Sequence, residues 1–313
     1  MLVLLAAIGV ASCAISNWRL VSSESRLHTL RFSSLFFTDS DNGLALTLSE
    51  LVGTSDGGKT WNKRFASDDQ LFHSMKFVTP TTGFIVGVKG KGFKNALILR
   101  TDDSGKTWHE ITPDLPKTDS ESPLYSSSFC NPQVGWVVGS DLILRTTNGG
   151  QSWEVQQRKN GEGSLDVACV SAEQAWIVGP DSLILQTRDT GKSWSRVPIE
   201  TTATLARVRI LGNEGWIVGG GPQNGVLLRT RNQGTSWERV KVTATAPLLD
   251  IYLDGKHGWI VGVDGTIFES TDAGESWTQQ HSPTADDLAC LFFLSSHRGW
   301  AGGERKTVLS FSD

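Results

Sequence analysis

The chain has 313 residues, 38% of them hydrophobic and 20% charged, the balance of a soluble globular protein with room for one large domain or two ordinary ones. Its net charge of −4 argues against a nucleic-acid partner, which favours a basic surface. The 33 Gly and 12 Trp stand out against 2 Tyr and 2 Met, and Trp that recurs with Gly is a mark of periodic β-structure.

The first residues differ from the rest. "MLVLLAAIGVASC" is apolar or small throughout residues 2–10. That is too short to span a bilayer, which takes about 20 residues, and it fits the apolar core of a secretory signal. "VASC" resembles a bacterial lipobox, which implies export and lipidation of Cys13 at the start of the mature chain.

Beyond the leader the chain repeats itself. A weak "NGLALT" around Gly43 precedes "TSDGGKTW" at 54–61. "GFIVG" at Gly83 precedes "TDDSGKTW" at 101–108, and "GWVVG" at Gly135 precedes "TTNGGQSW" at 146–153. "AWIVG" at Ala175 and "TRDTGKSW" at 187–194 follow, then "GWIVG" at Gly215 with "TRNQGTSW" at 230–237. "GWIVG" at Gly258 leads to "STDAGESW" at 270–277, and "GWAGG" at Gly299 begins a last, incomplete unit. The tryptophans closing the second motif, Trp61, Trp108, Trp153, Trp194, Trp237 and Trp277, recur every 40–47 residues.

Each unit reads as four short strands. A β-like run such as "LARVRIL" leads through a turn into "GWIVG", then through a Gly-rich turn into a run such as "VLLRT", and the last strand starts at the second Trp. Four strands in 40–45 residues, repeated seven times, predict an all-β, seven-bladed β-propeller of four-stranded antiparallel blades. The motif S/T-x-D/N-x-G-x-S/T-W reads as the hairpin between strands three and four. Its Asp or Asn closes the turn on backbone N–H groups, and its Gly supplies a positive φ. Asp56, Asp103, Asn148, Asp189, Asn232 and Asp272 are therefore read as structural, without a catalytic or metal role. "NWRLV" at 17–21 matches "SWERV" at 236–240, so the N-terminal strand is expected to complete blade seven from Trp18. The expected organisation is a leader over 1–13 and one propeller over 14–313.

In such a blade, turns 1–2 and 3–4 share one face of the disc, and turns 2–3 and the blade-to-blade links share the other. The second face carries the irregular loops and is the favoured binding face, with Lys89, Lys91, Lys94, Arg305 and Lys306 as basic spots. Arg207 and Arg209 alternate with Val208 and Ile210 on an innermost strand, so both project to one side near the axis. Lys76 and Asp250 occupy comparable places in blades two and six. Asp166 and Asp250 are candidate ion-pair partners for the arginines; a ligand- or partner-facing patch is the alternative. Cys130 and Cys169 sit at matching places in successive units. A disulfide and a pair of small buried hydrophobes both fit, the second favoured. No spacing of Cys and His suggests zinc, and no cofactor is called for.

The turn motif is the Asp-box, and the chain resembles Asp-box (BNR-type) propellers along nearly its whole length. Seven units of the form "GWIVG…RTxDGGxSW" look like the photosystem II stability/assembly factor family. That resemblance implies a non-catalytic scaffold exported to the thylakoid lumen or periplasm, which binds a nascent membrane protein or assembly intermediate. With the lipobox-like leader, it implies a membrane-anchored lipoprotein that binds no nucleic acid and stays monomeric. The rival reading is an Asp-box glycosidase. Sialidases of that class need a Tyr–Glu pair, and here only Tyr125 and Tyr252 are present. A polysaccharide-cleaving enzyme would use two carboxylates, for which Asp141, Asp181 and Asp264 are the candidates, although "GSD", "GPDS" and "GVDG" are ordinary turn chemistry.

Overall fold

The computed structural model describes residues 17–24, 30–113, 115, 122–158 and 163–313; the leader and Cys13 lie outside them. Over these residues the chain forms seven four-stranded sheets, each a run of antiparallel neighbours. Blade five shows the pattern: Thr204–Leu211 innermost, then Glu214–Gly221, Asn224–Thr230 and the short outer strand Glu238–Arg239. The seven-bladed propeller expected from the repeat is what forms.

Blade seven contains Leu288–Ser295, Arg298–Gly303 and Val308–Ser312, and its outer strand is Trp18–Ser22. Trp18 pairs with Phe311 and Leu20 with Leu309. The Trp18 ring is 4% exposed and meets Phe293 edge-on at 6.0 Å. Asn17 Nδ2 donates to Asp313 Oδ1 at 3.3 Å, so the first described residue and the last lie side by side. This closes the ring as expected and removes the free edge that Val308–Ser312 would present.

The two repeated motifs form one joint between neighbouring blades. The aromatic of "GWIVG" in one blade lies under the Asp-box Gly of the next. A Cβ on Gly150 would meet Phe84 at 2.5 Å, and one on Gly274 would meet Trp216 at 2.7 Å. At the closure, Trp300 Nε1 donates to the Gly57 carbonyl of blade one at 3.1 Å. Trp136, Trp176, Trp259 and Trp300 are at most 1% exposed. Burial of one such ring is worth up to roughly 4–6 kcal/mol, so these joints carry much of the fold. The final Gly of "GWIVG" has a different cause: a Cβ on Gly219 would sit 2.1 Å from the Thr204 carbonyl oxygen of its own innermost strand.

Cys130 and Cys169 form a disulfide, with Cα atoms 5.0 Å apart. This corrects the favoured reading of two separate hydrophobes. The innermost strands Leu124–Phe129 and Asp166–Cys169 run side by side around the axis, so equivalent positions of neighbouring blades come within disulfide reach.

Candidate functional site

Innermost strands turn alternate side chains toward the axis. One ring of such positions, one per blade, is Ser34, Ser74, Ser126, Asp166, Arg207, Asp250 and Cys290, and all seven line a cavity of about 240 Å³ in the channel. Several fasten one blade to the next. Ser34 Oγ accepts the Met75 N–H at 3.0 Å, Asp166 Oδ2 the Val208 N–H at 3.0 Å, and Asp250 Oδ2 the Leu291 N–H at 2.8 Å.

The two arginines are paired as the sequence suggested. Arg209 reaches Asp166 Oδ2 and Asp250 Oδ1, both at 3.3 Å, and Arg207 Nε lies 3.7 Å from Asp250 Oδ1. Burial alone would raise the Asp166 carboxyl; Arg209 and Arg207 outweigh it and hold it below the usual carboxylate range. Burial likewise opposes the charge on Arg207, but Asp166 and Asp250 raise its pKa.

Lys76 has no such arrangement. It is exposed on the wall of the channel, where it lines both the 240 Å³ cavity and the wider space beside it, and among the described residues its Nζ has no hydrogen-bond or ion-pair partner. Enclosure, followed by the charge of Arg209, pushes its pKa down to about 8. Three cations thus face two carboxylates in the channel, and both carboxylates already accept backbone N–H groups and arginine.

Toward the Asp-box side the channel widens into a cup of about 500 Å³. Lys76 and Arg209 stand in its wall, with Ser127, Ser128, Val208 and the Cys130–Cys169 disulfide, and among the described residues no carboxylate lines it. Phe77 also lines it and stacks at 3.8 Å on Phe36, which meets Phe292 at 5.6 Å in the adjoining channel cavity. Cations, hydroxyls and aromatic faces in one concavity suit an acidic segment that also carries apolar side chains.

The other predicted basic residues are on the far side. Lys89 is paired with Glu110 and Arg305 with Asp286. Lys306 lies 3.5 Å from Glu24 and 3.8 Å from Glu50. Lys91 and Lys94 are exposed on the 2–3 turn of blade two. The structure therefore brings together Lys76, Arg207 and Arg209, leaves the other five apart from them, and places the cup on the face opposite to the one favoured from sequence. Phe36, Phe292 and Ser128 were not singled out from sequence; aligning the innermost strands of all seven units would have shown that they share the ring of Lys76 and Arg209.

In the Asp-boxes, Asp56 accepts the Thr60 N–H at 2.9 Å and the Thr60 and Thr54 hydroxyls at 2.6 and 2.7 Å. Asp103, Asp189 and Asp272 repeat this pattern. Asn148 and Asn232 accept the same backbone N–H and donate to Ser152 and Ser236. The hydroxyl and N–H donors hold Asp56, Asp189 and Asp272 down to about 2 and depress Asp103 as well.

The family described as "Photosynthesis system II assembly factor YCF48" matches residues 10–118, 114–204 and 164–248. A curated relative from Synechococcus sp. (strain CC9902), "Photosystem II assembly lipoprotein Ycf48", is 31% identical over 149 residues, covering 46% of this chain and 41% of the relative. The match thus spans less than half of that relative's length. A solved structure described as "YCF48 bound to D1 peptide" superposes with a TM-score of 0.74 over 95% of this chain and 97% of its own, at 19% identity. A GH74 enzyme from Niastella koreensis also superposes, with a TM-score of 0.70 over 94% of this chain and 53% of its own, at 13% identity. At such identities these likenesses establish the ring and leave its use open. The family match spans most of the blades, and on that ground the chain belongs to the photosystem II assembly factor YCF48 family.

Proposed function

We propose that this chain is a non-catalytic propeller scaffold that holds an acidic segment of a membrane-protein partner during photosystem II-type assembly, at the cup on its Asp-box face. The observation that carries this reading is Lys76: a cation in the channel, beside Arg209, that among the described residues has no ion-pair partner and stands in a cup lined by no carboxylate. A cation held on the wall of a concavity with no carboxylate of its own attracts an anionic ligand, which supplies the missing partner. The relatives support the choice of partner class, since one is described as a photosystem II assembly lipoprotein and a similar ring was solved with a D1 peptide.

Attachment to the membrane through a lipid on Cys13, on the exported side, belongs to the same proposal, as does action as a monomer. The Cys130–Cys169 disulfide supports export, because such bonds persist in oxidising compartments. Against the glycosidase alternative, Asp181 and Asp264 both adopt positive φ inside tight turns of different blades. That suits turn chemistry better than a pair of carboxylates facing across a cleft.

The test is capture of membrane-protein precursors from solubilised membranes by the wild-type protein and by Lys76→Gln. Loss of capture in a variant that melts like the wild type supports the cup. Equal capture by both proteins refutes it. Glycoside hydrolysis abolished by mutation of one carboxylate would refute the scaffold reading.

A further inference from the structure

Between blades one and two lies a second cavity of about 650 Å³, lined by Phe36, Leu44, Arg64, Ser104 and Lys106 among others, and again by no carboxylate among the described residues. It adjoins the centre. Phe36 lines both this cavity and the channel cavity, Phe77 lines the channel cavity and the cup, and the two rings are stacked at 3.8 Å. Lys63, on its edge, is engaged by Glu50 at 3.1 Å. Asp39, in the adjoining turn, accepts the Asn42 and Asp41 N–H groups. Arg64 crosses Gly53, where a Cβ would meet its Nε at 2.5 Å, and its guanidinium carries no described ion pair. Lys106 is exposed on the Asp-box turn of blade two.

We infer that the acidic segment does not end in the cup but runs radially across the Asp-box face, between blades one and two, as an extended bipartite ligand. One acidic end lies against Lys76 and Arg209. An apolar side chain covers Phe36 and Leu44. A second acidic group lies against Arg64 and Lys106. The sequence of surfaces, cationic then aromatic then cationic, commits the occupant to the complementary order. An extended chain suits a track that leads outward from the axis, and alternate side chains of such a chain point to one side. This rests on the cup reading, and the experiment separates the two.

The probes are two fluorescently labelled nonapeptides of Asp, Glu, Leu, Phe and Ser. One has acidic pairs at both ends around a Leu-Phe centre; in the other, one acidic pair is replaced by Asn and Gln. Binding is measured by anisotropy with the wild type, Lys76→Gln and the double variant Arg64→Glu, Lys106→Glu. The bipartite peptide should bind roughly three- to tenfold more tightly than the other, about what two solvent-facing pairs supply, and high salt should erase the gain. The double variant should abolish that gain and leave the one-ended peptide unaffected, whereas Lys76→Gln should weaken both. Equal affinity of the two peptides, or no effect of the double variant, overturns the radial track while Lys76→Gln still reports on the cup. Failure of either peptide to bind overturns both.

Discussion

A Cβ on Gly234 would lie 2.2 Å from the Trp176 ring of the preceding blade. Gly234 also has φ +75. Substitution there faces two penalties: left-handed backbone, about 1–2 kcal/mol for a residue with a Cβ, and overlap with a ring that is 1% exposed. Gly212 has φ +63 and nothing within 4 Å of its would-be Cβ. Gly212→Ala should therefore show the backbone cost alone. Gly234→Ala should lose a further 1–3 kcal/mol or so, the usual cost of overpacking. Urea denaturation of both variants checks this; equal losses would mean that the joint tolerates the extra methyl.

The Asp-box carboxylates should set part of the acid sensitivity. Asp56, Asp189 and Asp272 titrate near 2 in the fold against an ordinary value of 3.8. A depressed carboxyl contributes stability that is present above the unfolded value and lost as pH falls from about 3.8 toward about 2. The triple variant with Asn at these positions keeps the turn, as Asn148 and Asn232 do. It should unfold less steeply than the wild type over that window. Identical acid melting curves would contradict the turn role.

Lys76→Met should stabilise the free protein and weaken ligand binding. The Lys76 amine titrates near 8 in the fold against 10.5 outside it, so its charge opposes folding. The penalty is fully present below about 8 and fades as pH rises toward 10.5. The melting-temperature advantage of the variant should be constant below pH 8 and shrink above it. Anion binding by the wild type should fall through the same region. A variant that melts lower at neutral pH would make Lys76 a structural residue.

The disulfide closes a separation of 39 residues and ties blade three to blade four at the cup. Its removal by Cys130→Ser with Cys169→Ser should cost about 2–4 kcal/mol. A dithiol reductant should lower the melting temperature of the wild type and leave the double variant unchanged. Insensitivity of both to reductant would show that the bond adds nothing to stability.

The ring was legible because each blade spells its own joints. The Trp of "GWIVG" and the Gly of the Asp-box recur with the blade period, and each pair is the two halves of one joint between neighbours. Closure through Trp18 was legible for the same reason, as a copy of an outer strand out of its place. The channel was harder. Arg209 meets Asp166 and Asp250 from blades on either side, 43 and 41 residues away. The sequence offers those carboxylates without saying that both are used, or that Lys76 is left over. The cup lies on the face opposite to the one that the long loops suggested, because loop length says nothing of where the channel opens. Of the cations on those loops, Lys89, Arg305 and Lys306 are engaged by nearby glutamates and an aspartate, and Lys91 and Lys94 are exposed.

Trp18 pairs with Phe311, whose other neighbour is Gly299, at the Asp-box end of blade seven. Asn17, the first described residue, therefore stands on the side where the cup opens. With an anchor and a partner in the same bilayer, capture becomes an encounter between tethered groups, governed by effective concentration, which short flexible links raise to the millimolar range. Under the proposed lipid on Cys13, a cup of modest intrinsic affinity would be enough to keep a partner engaged, and detaching the tether would release it without any change in the ring.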